Sequence, residues 1–221
     1  MTESKTLTET RRGRPPGTSA RALEVIALRL FAERGFDDTT VDQIAGEAGV
    51  SRRTFFRYFE SKSEVLWSEF DLEVANLRRE LAALPDDIPV MDAVRTAVLA
   101  VNHYGPEDVP ELRTRMSLIS ATPELAAAAA VHYDAWERAI IDFVAGRSRQ
   151  PADSLYPLAV GRATLATCRA AYERWVARAD VDLGSYLDAA LRALAAGFAD
   201  ATIAREPRTV RTRRAQPSSP R

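Results

Sequence analysis

The stretch TVDQIAGEAGVSRRTFFRYF, residues 40–59, decides how this chain folds. Val41, Ile44, Ala45 and Ala48 recur at helical spacing, and Thr40 with Gln43 supplies a reciprocal cap at the front of that helix. Gly49 suits the left-handed residue that ends it. Ser51 then caps a second short helix that reaches about Tyr58. Two short helices joined by a tight glycine-containing turn form a helix-turn-helix, whose second helix can enter the DNA major groove. Phe55 and Phe59, four apart, share an inward face with Val50. Arg52, Arg53, Phe56 and Arg57 lie on or beside the opposite face.

The residue types on that face suit nucleic acid. Arg52 and Arg53 open the helix where side chains meet base edges, and arginine forks match guanine. Thr54, Tyr58 and Lys62 are placed for phosphate contacts, which fix register without carrying sequence information. Thr39 and Thr40 stand at a helix N-terminus, where backbone N–H groups favour a phosphate. Such glycine-turn pairs also occur in helical proteins that never meet DNA. Here arginines interleave with aromatics just after the turn, and both helix starts carry caps.

Working outward, Leu23, Ile26, Ala27, Leu30 and Phe31 line one face of a preceding helix that stops at Gly35. Ser61 and Glu64 form a second capping box, predicting a long helix through Val65, Leu66, Phe70 and Leu77 to about Leu84. Pro85 and Pro89 break the pattern. Helical segments resume at about 90–103, 110–120, 123–146, 152–178 and 183–204. No segment alternates convincingly as a strand. The expected fold class is all-α, with an N-terminal three-helix helix-turn-helix domain and a C-terminal helical domain. The expected divisions are a flexible basic arm at 1–18, the DNA-binding domain at 19–70, a ligand-binding and dimerisation domain at 71–204, and a disordered basic tail at 205–221. Within the arm, Arg14 of the Arg11–Pro16 run is a candidate minor-groove contact.

Composition narrows the classes of function. The 221 residues carry a formal net charge of only −1, so any DNA-binding surface is a local patch. Lys5 and Lys62 are the only lysines; nearly all the positive charge is arginine. The single cysteine, Cys168, excludes a disulfide framework and reads as a buried, inert thiol. His103 and His132 lack the i, i+4 spacing of a helical metal site, and no phosphate loop or Rossmann glycine pattern is present. The reading is therefore no enzyme, no cofactor and no metal. The N-terminus lacks a signal-peptide stretch, and no apolar run approaches bilayer length, so a cytoplasmic protein is expected.

The segment RLFAERGFDDTTVDQIAGEAGVSRRTFFRYFESKSEVLW, residues 29–67, resembles the DNA-binding domain of the TetR family of regulators. The pieces that carry the likeness are Phe31–Phe36, Thr39–Thr40, Ile44–Ala45, and Phe56–Phe59 followed by Lys62. The resemblance implies a homodimer on a palindromic operator, usually a repressor released by a small ligand. It places Arg52, Arg53, Thr54, Phe56, Tyr58 and Lys62 at DNA-contacting positions. Phe56 departs from the tyrosine most often found there, which removes a phosphate hydrogen bond and leaves a thymine methyl as its partner.

The same resemblance implies a four-helix dimer interface from helices at about 152–178 and 183–204. The second carries an apolar stripe of Leu187, Leu191, Leu194 and Phe198, which would equally suit the subunit's own core. Bulky side chains on the middle helices are pocket candidates: His103, Tyr104, Met116, His132, Tyr133, Trp136, Phe143, Tyr172 and Trp175. The Arg113–Arg115 run could hold an anion at the pocket mouth. The Ser51–Phe59 helix, Trp67–Asp71 and Ala171–Trp175 resemble the branch associated with mycofactocin biosynthesis genes, which suggests an apolar or amphipathic, acyl-CoA-like effector. The rival readings are an all-helical ligand-binding or interaction protein that does not act through DNA, and an activator on the same scaffold.

Overall fold

The computed structural model describes residues 19–67, 70–178 and 181–197. The arm with Arg14, the basic tail and Phe198 lie outside the described residues. The described chain is helical, with no strand. In order, it forms α1 (Ala20–Arg34), α2 (Val41–Glu47), α3 (Arg52–Phe55), a 3-10 turn (Ser63–Leu66), α4 (Phe70–Ala83), α5 (Val90–Val101), α6 (Val109–Ala121), α7 (Pro123–Ser148), α8 (Leu155–Arg178) and α9 (Leu183–Ala195).

Local chemistry sets the front of the fold. The Ser19 hydroxyl accepts from Ala22 N at 3.1 Å to start α1, and Gly35, at φ 90°, ends it. Thr40 and Gln43 make the reciprocal cap on α2, Gln43 N to Thr40 Oγ1 at 3.2 Å and Thr40 N to Gln43 Oε1 at 2.8 Å. Gly49, at φ 67°, turns the chain into α3, where Ser51 Oγ accepts from Thr54 N at 3.2 Å. α3 is shorter than its pattern suggests. Beyond Phe55 the backbone tightens into i to i+3 bonds, Arg57 N to Thr54 O and Tyr58 N to Phe55 O.

The expected single helix from Ser61 to Leu84 is instead a 3-10 turn followed by α4. The Ser61 hydroxyl does accept from Glu64 N. However, Val65, Leu66 and Trp67 are all buried, and a straight α-helix would spread three consecutive side chains over roughly 200°. The chain therefore changes course here, where it passes from the front helices to the rear bundle.

Two cores result. The front core gathers Leu23, Leu30 and Phe31 of α1, Ile44 of α2, Phe55 and Phe59, and Val65 to Trp67; Ile119 of α6 and Leu125 and Ala129 of α7 also enter it. The rear core is built on α4 to α9 around Leu77, Val94, Ile140, Trp175, Leu187 and Leu191, with Leu112 from α6. Phe70 and Met116 pack against both cores, so the junction is continuous apolar contact. Arg95 of α5 pairs with Asp188 of α9 across the rear bundle. No helix among the described residues is long and apolar enough to cross a membrane.

The apolar stripe of α9 faces inward. Leu187 and Leu191 are fully buried in the subunit's own core with Leu183 and Tyr186, and Leu194 sits at its rim. These leucines are therefore spoken for, and the faces left open on α8 begin with the exposed Leu155 and Tyr156.

Candidate nucleic-acid interface and effector cavity

The helix-turn-helix presents a basic, aromatic surface. Phe55 and Phe59 are buried with ring centroids 5.3 Å apart, which anchors α3 from beneath. On the outer side, Arg52 Nη1 donates to Asp42 Oδ2 at 2.9 Å and its guanidinium lies 5.3 Å from the centre of the Phe56 ring. Arg53 is exposed and makes no side-chain hydrogen bond or ion pair among the described residues. Arg57 lies over the Tyr58 ring at 4.9 Å and donates to its hydroxyl at 3.1 Å. Phe56 is 43% exposed, its ring edge-on to Phe55 with centroids 5.5 Å apart.

Three of the residues expected to contact DNA have structural duties instead of, or besides, that role. Thr39 does not stand on the surface: it is fully buried, and its hydroxyl donates to Gly35 O at 2.8 Å and Leu30 O at 3.3 Å. Those bonds tie the end of α1 to the start of α2. Thr40 spends its hydroxyl on the α2 cap. Lys62 Nζ donates to Phe36 O at 2.6 Å and sits 3.9 Å from the Phe36 ring centre, clamping the α1–α2 turn.

At the junction of the two cores lies a cavity of about 80 Å³, lined from five elements. Leu66, Trp67 and Phe70 come from the 3-10 turn and α4, Leu112, Met116 and Ile119 from α6, Tyr133 and Trp136 from α7, and Leu165 and Cys168 from α8. Glu73, Asn102, Tyr104 and Tyr172 form a polar end. There the Tyr104 hydroxyl donates to Glu73 Oε1 at 3.2 Å, and that of Tyr172 donates to Asn102 Oδ1. Burial holds both phenols above their ordinary range, so they act as neutral donors. A second space of about 380 Å³ adjoins, sharing Met116, Ile119, Tyr133, Arg169 and Tyr172. Together they are lined by apolar side chains with a few polar ones, among them Glu73, Arg115, Arg169 and Glu173.

Of the pocket candidates, Tyr104, Met116, Tyr133, Trp136 and Tyr172 line this one space. The remaining candidates do not. His103 is exposed beside a separate groove that also meets Trp175. His132 stacks on Trp67, centroids 4.5 Å apart, outside the lining. Trp175 is buried in the rear core. Phe143 carries Arg147 over its ring at 5.1 Å, and that guanidinium is tied to backbone carbonyls of the α4–α5 loop. Within the arginine run, Arg113 donates to Val176 O at 2.8 Å and leaves the cavity to Arg115.

Cys168 lines the cavity, but burial pushes its thiol up to about 12. It offers no thiolate for nucleophilic chemistry.

The feature that residue patterns did not single out is a charge cluster between α1 and α6. Glu24, 1% exposed, pairs with Arg115 and, at 3.2 Å, with Arg21. Arg115 also reaches Glu111 at 3.0 Å, and Arg21 holds Glu111 with two bonds of 2.6 and 2.7 Å. One signal for it was available. Glu24 falls inside the α1 apolar stripe, three before Ala27 and seven before Phe31, where a charge needs a partner.

Residues 26–67 match the model of bacterial regulatory proteins of the tetR family, and residues 88–199 match that of the MftR C-terminal domain. The chain is 37% identical over 190 residues to a protein of Mycobacterium tuberculosis named as the mycofactocin biosynthesis transcriptional regulator MftR, covering 86% of this chain and 96% of that protein. Among solved structures, it resembles the lauroyl-CoA complex of the Thermus thermophilus repressor FadR, with 25% identity, 82% of this chain and 95% of that one covered, and a TM-score of 0.55. It also resembles a SmeT–triclosan complex, with 22% identity, 79% and 90% coverage and a TM-score of 0.59.

Proposed function

Because the chain belongs to the TetR family of bacterial transcriptional regulators, we propose that it is a homodimeric repressor of its target genes, released by an amphipathic, acyl-CoA-like effector. It is a DNA-binding regulator and not an enzyme. Residues 19–70 act as the DNA-reading domain and 71–204 as the effector and dimerisation domain. Arg52 and Arg53 read base edges, Phe56 meets a thymine methyl, and Thr54, Arg57, Tyr58 and Lys62 set the register on phosphates, with Thr40 at the α2 start.

The observation that carries the effector reading is the pair of adjoining spaces at the junction of the two cores, lined by apolar side chains with a few polar ones. The FadR relative in fold binds lauroyl-CoA. The adjoining spaces of about 80 and 380 Å³ together fall within the roughly 300–1,000 Å³ of typical ligand sites. Three of the lining elements, the 3-10 turn, α6 and α7, continue into the front core, so a ligand there touches elements that also support the DNA-reading helices. Dimerisation through the open faces of α8 and α9 would fix the spacing of two recognition helices on a palindrome.

Genome-wide mapping of bound DNA, followed by mobility shifts on the recovered sites, tests this reading. Sequence-specific binding released by lauroyl-CoA, with target transcripts rising on gene deletion, supports it. Transcripts that fall on deletion identify an activator instead, and salt-sensitive binding without sequence preference overturns the regulator's operator-reading role.

A further inference from the structure

Three buried side-chain polar atoms lack a hydrogen-bond partner among the described residues, and two of them, Trp67 Nε1 and Arg115 Nε, belong to residues that line the cavity. Both are donors only, so each calls for an acceptor that the protein does not provide. Buried donors are rarely left unpaired without a reason. Trp67 is 4% exposed, fixed between His132 on its face and Phe70 and Tyr133 on its edges. It cannot easily swing away to find a partner elsewhere.

Arg115 carries a further constraint. Its Nη2 already serves both Glu24 and Glu111. An oxyanion binds the side of a guanidinium with two parallel bonds, one from Nε and one from the neighbouring Nη2. Nη2 has only two hydrogens. Such a ligand must therefore take one of them from Glu24 or Glu111. Glu111 keeps two bonds to Arg21 and gains little by holding on. Glu24 is almost wholly buried in α1 and keeps Arg21 at 3.2 Å, so losing Arg115 removes part of its charge compensation and favours movement of α1.

We propose that the Nε–Nη2 edge of Arg115, together with the Trp67 indole N–H, receives an oxyanionic head, carboxylate or phosphate, on an apolar effector. Docking there withdraws Arg115 from Glu24 and passes occupancy of the cavity directly to α1. This rests on reading the cavity as the effector site, and it names both the head-group chemistry and the route to the DNA-binding helices. The coupling is reciprocal: operator binding that favours the Glu24–Arg115 pair must weaken the effector by the same factor.

The test uses the full-length protein labelled with nitrogen-15, whose Trp67 indole resonance is assigned by W67F. Dodecanoate, lauroyl-CoA and dodecyltrimethylammonium, which has the same chain length without an acceptor, are titrated in turn. Dodecanoate or lauroyl-CoA should shift the Trp67 N–H, while the ammonium probe should not. R115Q should weaken the oxyanionic probe at least tenfold. Because R115Q alone removes part of the charge compensation of the buried Glu24, the double variant E24Q/R115Q provides a fully neutral pair. It should show the same loss of affinity and no longer release DNA when the probe is added. Binding that leaves Trp67 unmoved, or that survives unchanged in both variants, overturns the proposal. So does failure of both oxyanionic probes to bind. Dodecanoate binding without lauroyl-CoA binding overturns only the acyl-CoA reading and supports the head-group assignment.

Discussion

Arg52 at the start of α3 reaches back across the turn to Asp42 of α2, Nη1 to Oδ2 at 2.9 Å, while its neighbour Arg53 has no such tether among the described residues. The pair places two arginines side by side with different freedom. Arg52 is oriented before DNA arrives, and Arg53 can adjust to a base edge.

Arg53→Ala should therefore reduce discrimination between the operator and a mismatched site. A bidentate arginine–guanine contact gives about 1–3 kcal/mol, roughly five- to 150-fold in relative affinity. Binding to unrelated DNA should fall far less, because phosphate contacts remain. Fluorescence anisotropy on matched and mismatched duplexes checks this. An unchanged operator preference would falsify the base-reading role of Arg53.

Helix crossing in the rear bundle makes a second expectation. Gly161 of α8 lies against α7 so closely that a Cβ there would stand 2.4 Å from Ile141 Cγ1 and 3.3 Å from Glu137 O. Neither neighbour is a loose side-chain tip. Gly161→Ala gains helix propensity, roughly 1 kcal/mol, but must push α7 and α8 apart. Overpacking of this kind costs about 1–3 kcal/mol. Urea unfolding should show net destabilisation; greater stability than wild type would mean the helices separate freely.

The helix-turn-helix was legible because its determinants are local. Thr40 with Gln43, Gly49 and Ser51 each act within a few residues, and the caps formed where their spacing placed them. The cavity was legible only in part. Its Trp67, Glu73, Asn102, Arg115 and Arg169 come from elements far apart in the chain, and no local spacing brings them together. Aromatic side chains on the middle helices looked alike in sequence, yet Trp136 lines the cavity while Trp175 fills the rear core. The α9 leucines likewise satisfied two patterns, and burial at Leu187 and Leu191 resolved them in favour of the subunit's own core.

Asp182 gives a dependence on pH with a definite sign. It caps α9, accepting from Ser185 N at 3.0 Å and from the Ser185 hydroxyl at 2.7 Å. Those bonds hold its carboxyl below the ordinary aspartate range. Since the folded value lies below the unfolded one, the stabilisation is complete above an unfolded value of about 3.9. It is lost as pH falls through the folded value. Asp182→Ala should cost about 0.5–1 kcal/mol at neutral pH, the low part of the capping range because the site is exposed. Asp182→Asn should keep most of the cap while flattening this part of the acid limb of a stability–pH curve. An acid limb identical in the asparagine variant and the wild type would remove Asp182 from the account.

Arg147 fixes the connection between α4 and α5 and lies over the Phe143 ring, outside the cavity lining. Its guanidinium donates to Asp86 O at 2.7 Å, to Ile88 O at 3.3 Å and to Pro85 O, and pairs with the Asp86 carboxylate at 3.3 Å. The planar fork serves several carbonyls at once, which a lysine ammonium on a flexible stem does less well. Arg147→Met should loosen the 85–89 loop and cost about 1.5–3 kcal/mol, the scale of hydrogen bonds to a charged donor. Arg147→Lys should recover only part of it. Amide exchange should quicken in that loop and at the start of α5. Because Phe143 and Arg147 lie outside the cavity lining, lauroyl-CoA affinity in folded Arg147→Lys should stay within about twofold of wild type, less than about 0.4 kcal/mol. A larger loss there, with the fold intact, would put Phe143 back at the effector site.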